Sequence, residues 1–353
     1  MIAATYTQNR GYRVEDVPIP DIGNGELLLR VAATSICGTD LRIIRSGHRK
    51  LKEGQKIVLG HEFVGVVVKC GRRAGDFQPG CRVGVAPNVG CGRCDMCLRG
   101  MPNMCPDYTA FGITMDGSHA EFVRVPHAAI AQGSVAPLPD EVSAEQGSLI
   151  EPLSCVVHGN RSVRVQPGET IVIFGAGPIG LMHVMLARLC GVAQLLVVDV
   201  RADRLEQARE LGATAVIDAS RQDVHDRVMH ETGRRGAEAI ITACSAASVQ
   251  QQAVHLLAPF GRVCFFGGLP AGESQVPLDT NAIHYRQLVV TGVTGGSPRD
   301  FHAALRLLTS ARLPVERVIS HRFPMGELGK AFETALGGDT MKVVLVAEER
   351  TLG

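Results

Sequence analysis

Apolar and polar residues follow two rhythms along this chain, and the change falls near Pro152. Upstream, short β-branched runs such as ELLLRVAATSI (26–36), FVGVVVKC (63–70) and HAEFVRVP (119–126) are interrupted by glycine and proline. Short strands broken by turns at this density predict an irregular, mostly β domain. Downstream, TIVIF (170–174) is an apolar run followed by a glycine turn and an apolar helical stretch from Pro178 to Cys190. LLVVD (195–199) reads as a second buried strand, and RADRLEQARELG (201–212) as an amphipathic helix with a glycine stop. AVID, EAIITAC, GRVCFFGG and LVVTGV continue the alternation. Strand alternating with helix predicts an α/β fold with a parallel, doubly wound sheet. After residue 295 a helix-like stretch (Pro298–Ser310) precedes a closing β-like run, MKVVLVAEE (341–349).

The chain has 353 residues, more than one hydrophobic core ordinarily serves, so two domains are expected. Hydrophobic residues at 45% and charged residues at 20% fit a soluble globular protein. A net charge of +1, with basic residues scattered, gives no reason to expect a nucleic-acid or membrane partner. No apolar run approaches the ~20 residues that span a bilayer. The first residues, MIAATYTQNRGYRVEDV, lack the basic and apolar regions of a signal peptide, so a cytoplasmic location is the default expectation.

Eleven cysteines change this picture, because a reducing compartment favours metal binding over disulfides. Cys91, Cys94, Cys97 and Cys105 crowd one short lobe, about residues 88–108. Three thiols at a spacing of three, with a fourth eight residues on, can close an all-thiolate tetrahedral site. Such closed sites are structural zinc sites. An iron–sulfur cluster and a redox dithiol are the rival uses of this pattern.

Gly175-Ala176-Gly177-Pro178-Ile179-Gly180 matches the dinucleotide fingerprint, between a strand and a helix. Gly175 permits the tight turn, Gly177 lets backbone approach a pyrophosphate, and Gly180 allows close helix packing. The helix N-terminus adds N–H donors and a positive dipole end. Asp199 ends the next strand, where it can accept hydrogen bonds from adenine-ribose hydroxyls and repel a 2′-phosphate, which favours NAD over NADP. Arg201 and Arg204 lie close enough in sequence to soften that preference.

Cys37-Gly-Thr-Asp40 and Gly60-His61-Glu62 each carry zinc-ligand types, and Glu151-Pro152 adds a carboxylate at the domain junction. Together they suit an open, catalytic zinc. Such a zinc polarises an alcohol oxygen and lowers its pKa. Asp40 is placed to orient the His61 imidazole, and the Thr39 hydroxyl to pass on a proton.

These motifs, in this order and over essentially the whole chain, resemble the zinc-containing medium-chain alcohol dehydrogenases. The resemblance implies a GroES-like catalytic domain (1–152), a Rossmann NAD domain (153–294) and a C-terminal segment (295–353) that returns to the catalytic domain. Glu151-Pro152-Leu153-Ser154 is similar to the sorbitol (polyol) branch. That branch implies Cys37, His61, Glu62 and Glu151 as the catalytic zinc set, Glu151 directly or through water, with Thr39 as proton relay. Lys342 falls where a basic residue reaches the cofactor phosphates, and Phe266–Gly268 and Gly292–Thr294 fall near the nicotinamide. Many relatives carry a histidine five residues after the first zinc cysteine. This chain has Arg42, which cannot act as a base, so the proton leaves through water, the ribose hydroxyl or a group such as His48.

The resemblance therefore implies a homodimer or homotetramer with two zinc ions per chain that oxidises a polar alcohol: a polyol, cyclitol, amino-cyclitol or sugar. An L-threonine 3-dehydrogenase is the alternative enzyme. A non-catalytic, zinc-stabilised dinucleotide-binding protein is the alternative of another class, which would have no use for an open zinc site.

Overall fold

The computed structural model describes residues 1–270, 272–310 and 313–348. The chain divides into two compact units, one of Met1–Ser154 together with the chain from Gly295 on, the other of Cys155–Thr294.

The first unit is built around Leu27–Ile36, a ten-residue strand buried at all but two positions. It pairs antiparallel with Glu62–Cys70, with Phe122–Val125 and with Lys342–Val346. Lys342–Val346 runs parallel to Ile319–Pro324 on its other side. This explains the return of the chain: KVVLV is buried at four of five positions, and a strand buried on both faces needs a sheet around it. Glu349, the last residue of the expected closing run, lies outside the described residues. A smaller sheet centres on Ile2–Thr7, flanked by Gly11–Asp16 and Lys56–Val58. The core includes Leu27, Leu29, Phe63, Phe111 and, from the returning segment, Phe332 and Leu345.

Two helices of this unit bear on the site. Gly38–Ser46 begins at Cys37, which caps it, and Asp40 bonds back to the Cys37 N–H at 2.9 Å in a capping box. The helix Ile150–Ser162 begins in this unit and continues into the other. Pro152 lies in its first turn, where the missing N–H has no intrahelical partner to lose.

The second unit holds a parallel sheet of six strands in the order Ala215–Asp218, Gln194–Asp199, Thr170–Phe174, Ala237–Thr242, Leu257–Phe265, Val289–Gly292. All five residues of Thr170–Phe174 are buried, as a parallel strand covered on both faces requires. Chain progress reverses between Thr170–Phe174 and Ala237–Thr242. Ligands of doubly wound sheets bind at the carboxyl ends of the strands at such a point. Among the described residues, no helix is long and apolar enough to cross a membrane.

Candidate metal and cofactor sites

The four lobe cysteines converge, with sulfur atoms within 4.8 Å of one another. Short local elements bring this about: Cys94 caps the turn Asp95–Leu98, and Cys105 follows the 3-10 turn Pro102–Met104. The Cys91 N–H donates to Cys105 Sγ at 3.3 Å. Backbone N–H groups of Arg93 and Cys94 lower the Cys91 thiol pKa to about 6. Burial, with the neighbouring sulfurs, pushes Cys97 up to about 12. Four thiols this close cannot all ionise without a cation, and a divalent soft metal supplies the charge. Gly90 contributes by having no side chain, since a Cβ there would come within 2.4 Å of Cys97 Sγ.

A second cluster joins Cys37, His61 and Glu62, whose ligand atoms also lie within 4.8 Å of one another. Cys37 stands at the end of Leu27–Ile36, and Glu62 opens the neighbouring strand, where the register sets Glu62 opposite Ser35. The Ser35 hydroxyl donates to Glu62. Asp40 Oδ1 lies 3.4 Å from His61 Nδ1, an ion-pair distance without hydrogen-bond geometry. Burial alone would raise the Asp40 carboxyl, yet the charges of His61 and His119 hold it well below the carboxylate range. Burial alone would lower His61, yet Asp40 and Cys37 raise it well above its ordinary value. A pocket whose field holds a proton on a buried imidazole equally attracts a metal cation. Thiolate, imidazole and carboxylate are the donor set of an open zinc site.

Glu151 is buried in the first turn of its helix and falls outside that cluster, although its charge acts on Lys342. The expectation for Lys342 was contact with cofactor phosphates. In the structure its ammonium donates to both oxygens of Glu62, one at 2.6 Å, and to the Ile36 carbonyl at 3.4 Å. These bonds take up its three N–H donors inside the first unit. Burial works against the charged lysine, but Glu62, Cys37 and Glu151 raise its pKa. A cation opening an apolar strand is the signal in KVVLV that marks a buried ion-pair partner. Thr39 is half-buried, and its hydroxyl oxygen accepts from Arg42 Nη2 at 3.4 Å. Burial and the charges of Arg49, Arg42 and Lys50 lower the pKa of His48, which is only partly exposed.

In the second unit the glycines divide by physical reason. Gly175 has φ +97, and a Cβ there would meet the Ala243 carbonyl at 2.9 Å. A Cβ on Gly180 would overlap the Gly175 carbonyl at 1.8 Å. Gly177 and Gly268 meet no atom of the chain within 4 Å, so nothing internal requires glycine there. The open space at Gly177, beside the N-terminus of Pro178–Leu189, is a cradle that a phosphate fits. Ile179 follows in the first turn of that helix. Asp199 is immobilised: Oδ2 accepts from the Ala176 N–H at 2.6 Å, and Oδ1 from Val200 and Arg201 at 2.8 and 2.9 Å. Arg201 forms a bidentate pair with Asp203 at 3.0 and 2.8 Å, which holds it to its own helix turn. Arg204 lies half-buried in that turn. Phe266 packs edge-on against His183, centroids 4.9 Å apart. Gly292 ends the outer strand of the sheet.

Residues 23–140 match the alcohol dehydrogenase GroES-like domain, and residues 178–310 match the zinc-binding dehydrogenase domain. The chain is 30% identical to a sorbitol dehydrogenase of Bacillus subtilis, over 95% of this chain and 94% of the relative. It is 34% identical to an L-threonine 3-dehydrogenase of Bacillus licheniformis, over 95% of each. It superposes with a TM-score of 0.90 on an alcohol dehydrogenase from a Thermus species, 30% identical, covering 99% of this chain and 100% of the other. A GroES-like unit with two metal-ligand clusters and a doubly wound unit with a dinucleotide turn define a zinc-binding dehydrogenase. The chain belongs to the zinc-containing medium-chain alcohol dehydrogenase family.

Proposed function

We propose that this enzyme oxidises a secondary alcohol of a polyol, cyclitol, amino-cyclitol or sugar to the ketone, with NAD as hydride acceptor. The observation that carries this reading is the convergence of Cys37, His61 and Glu62 in one largely buried cluster, apart from the four-cysteine lobe. Two zinc ions per chain follow, a catalytic one there and a structural one in the lobe. When bound, zinc would supply Lewis-acid polarisation of the alcohol oxygen and the nicotinamide would supply a hydride acceptor.

The chain's own residues supply the rest. Cys37, His61 and Glu62 would hold the metal, with Lys342 bonded to Glu62. Glu151 adds negative charge from the helix beside it. Thr39 takes the hydroxyl proton and passes its own to water, the cofactor's ribose hydroxyl or a group such as His48. Arg42 accepts no proton, but its charge on Thr39 Oγ1 favours release. Gly175, Gly177, Pro178, Ile179 and Gly180 would cradle the pyrophosphate, Asp199 would bind the adenine ribose, and Phe266, Gly268 and Gly292 would border the nicotinamide. NAD is favoured over NADP because Asp199 is pinned by three backbone donors and Arg201 is engaged by Asp203.

L-threonine is a second reading, supported by the 34% identity to a relative named for it. Glu151-Pro152-Leu153-Ser154 weighs toward the polyol side. The test is NADH formation, followed by absorbance, with polyols, cyclitols, sugars and L-threonine. Turnover of a polyol or cyclitol supports the proposal, and turnover of L-threonine alone replaces it. NAD binding with no turnover favours a binding protein.

A further inference from the structure

We propose that His119 is a positioning residue of the catalytic metal site, clamping Asp40 so that its free oxygen faces His61. The inference rests on the metal-site reading above and adds a residue to which neither motif nor comparison points.

His119 is fully buried, with none of its surface exposed. Its Nε2 lies 3.1 Å from Asp40 Oδ2 and its Nδ1 lies 3.3 Å from Thr34 Oγ1. Thr34 Oγ1 in turn lies 2.8 Å from Ser118 Oγ. An ionised Asp40 only accepts, so Nε2 carries the proton and Nδ1 accepts from the Thr34 hydroxyl. The Thr34 oxygen then accepts from Ser118. Every donor in this chain of bonds points toward Asp40.

Oδ2 of Asp40 also accepts from the Cys37 N–H at 2.9 Å. Two donors on one oxygen, from two different elements, fix the rotation of the carboxylate. Its other oxygen is left 3.4 Å from His61 Nδ1, with no further partner among the described residues. A carboxylate at Nδ1 leaves Nε2 of that ligand for the metal.

The rest of His119 is held as firmly. Its N–H donates to the Leu59 carbonyl at 2.8 Å, and its carbonyl accepts from Ala4 at 2.8 Å. Phe332 meets the ring edge-on, with centroids 5.2 Å apart. Gly60, the residue before His61, has φ +98, and a Cβ there would come within 2.7 Å of the His119 ring. The ring therefore lies directly against the backbone that carries the ligand.

The test is cobalt binding by the full chain, with the four-cysteine site as internal control. His119→Gln places an amide donor near the position of Nε2, whereas His119→Asn places it near Nδ1, short of Asp40. His119→Phe keeps the ring packing and removes both bonds. Loss of such an outer partner weakens a metal site by about 10–100-fold. The expected order of catalytic-site affinity is wild type, then Gln, with Asn and Phe weaker by that factor and their cobalt absorption bands shifted. A purely structural role would lower thermal stability without separating Gln from Asn. Equal affinities and spectra for Gln, Asn and wild type would overturn the role of His119 alone. A wild-type chain that binds metal only at the four cysteines would overturn the metal-site reading with it.

Discussion

At the smallest scale, four substitutions test the proposed chemistry, and each gives a measurable outcome. Cys37 contributes its sulfur at a helix cap, where it also accepts the Thr39 N–H at 3.4 Å. Cys37→Ser should abolish NADH formation while NAD affinity, read by fluorescence titration, stays within about two-fold, because the dinucleotide turn is built from other residues. Lys342 and Glu62 are a buried pair, 4% and 1% exposed, so removing one partner strands a charge. Lys342→Met should destabilise the metal-stripped protein by about 3–5 kcal/mol in denaturant, and a loss below about 1 kcal/mol would mean that Glu62 finds another partner. Asp199→Ala should raise the ratio of kcat/KM for NADP over that for NAD by about ten-fold or more, and an unchanged ratio would remove Asp199 from cofactor choice. Asp203→Ala should raise the same ratio by a smaller factor, by freeing Arg201.

At the scale of elements, legibility followed burial and sequence distance. Thr170–Phe174 and Gln194–Asp199 were readable because parallel strands covered on both faces are nearly continuous apolar runs. The helix Ala202–Glu210 was readable from its amphipathic spacing and the glycine that follows. The helix Ile150–Ser162 was not, because Pro152 and the polar His158-Gly159-Asn160 obscure its period. The four lobe cysteines stood out because their spacing is local. The link from His119 to Asp40 did not, because it joins residues 79 apart through tertiary packing. The ion pair of Lys342 with Glu62 spans 280 residues, and the family resemblance implies a cofactor contact for Lys342 instead. The lobe carries its own prediction. Cys94→Ala should cost one zinc per chain and lower the melting temperature by several degrees, since ligand and fold are coupled there. A variant that melts with the wild type would show that the lobe needs no metal.

For the whole molecule, the significant fact is that the first unit is completed from both ends of the chain. Lys342–Val346 closes the sheet against Leu27–Ile36 and carries Lys342 to the ligand cluster, and Phe332 brings the neighbouring helix against His119. Truncation before Ile319 should therefore disrupt the catalytic metal site and the first unit together. The parallel sheet of Cys155–Thr294 needs no strand from outside its own span. The proposed function gives the four-cysteine and Cys37–His61–Glu62 clusters separate demands on metal, one for folding and one for reaction. Zinc stoichiometry of the wild type beside Cys37→Ser tests this division most directly. Two zinc ions are expected per wild-type chain and one in the variant, with NADH formation lost in step. One zinc in both proteins would contradict it.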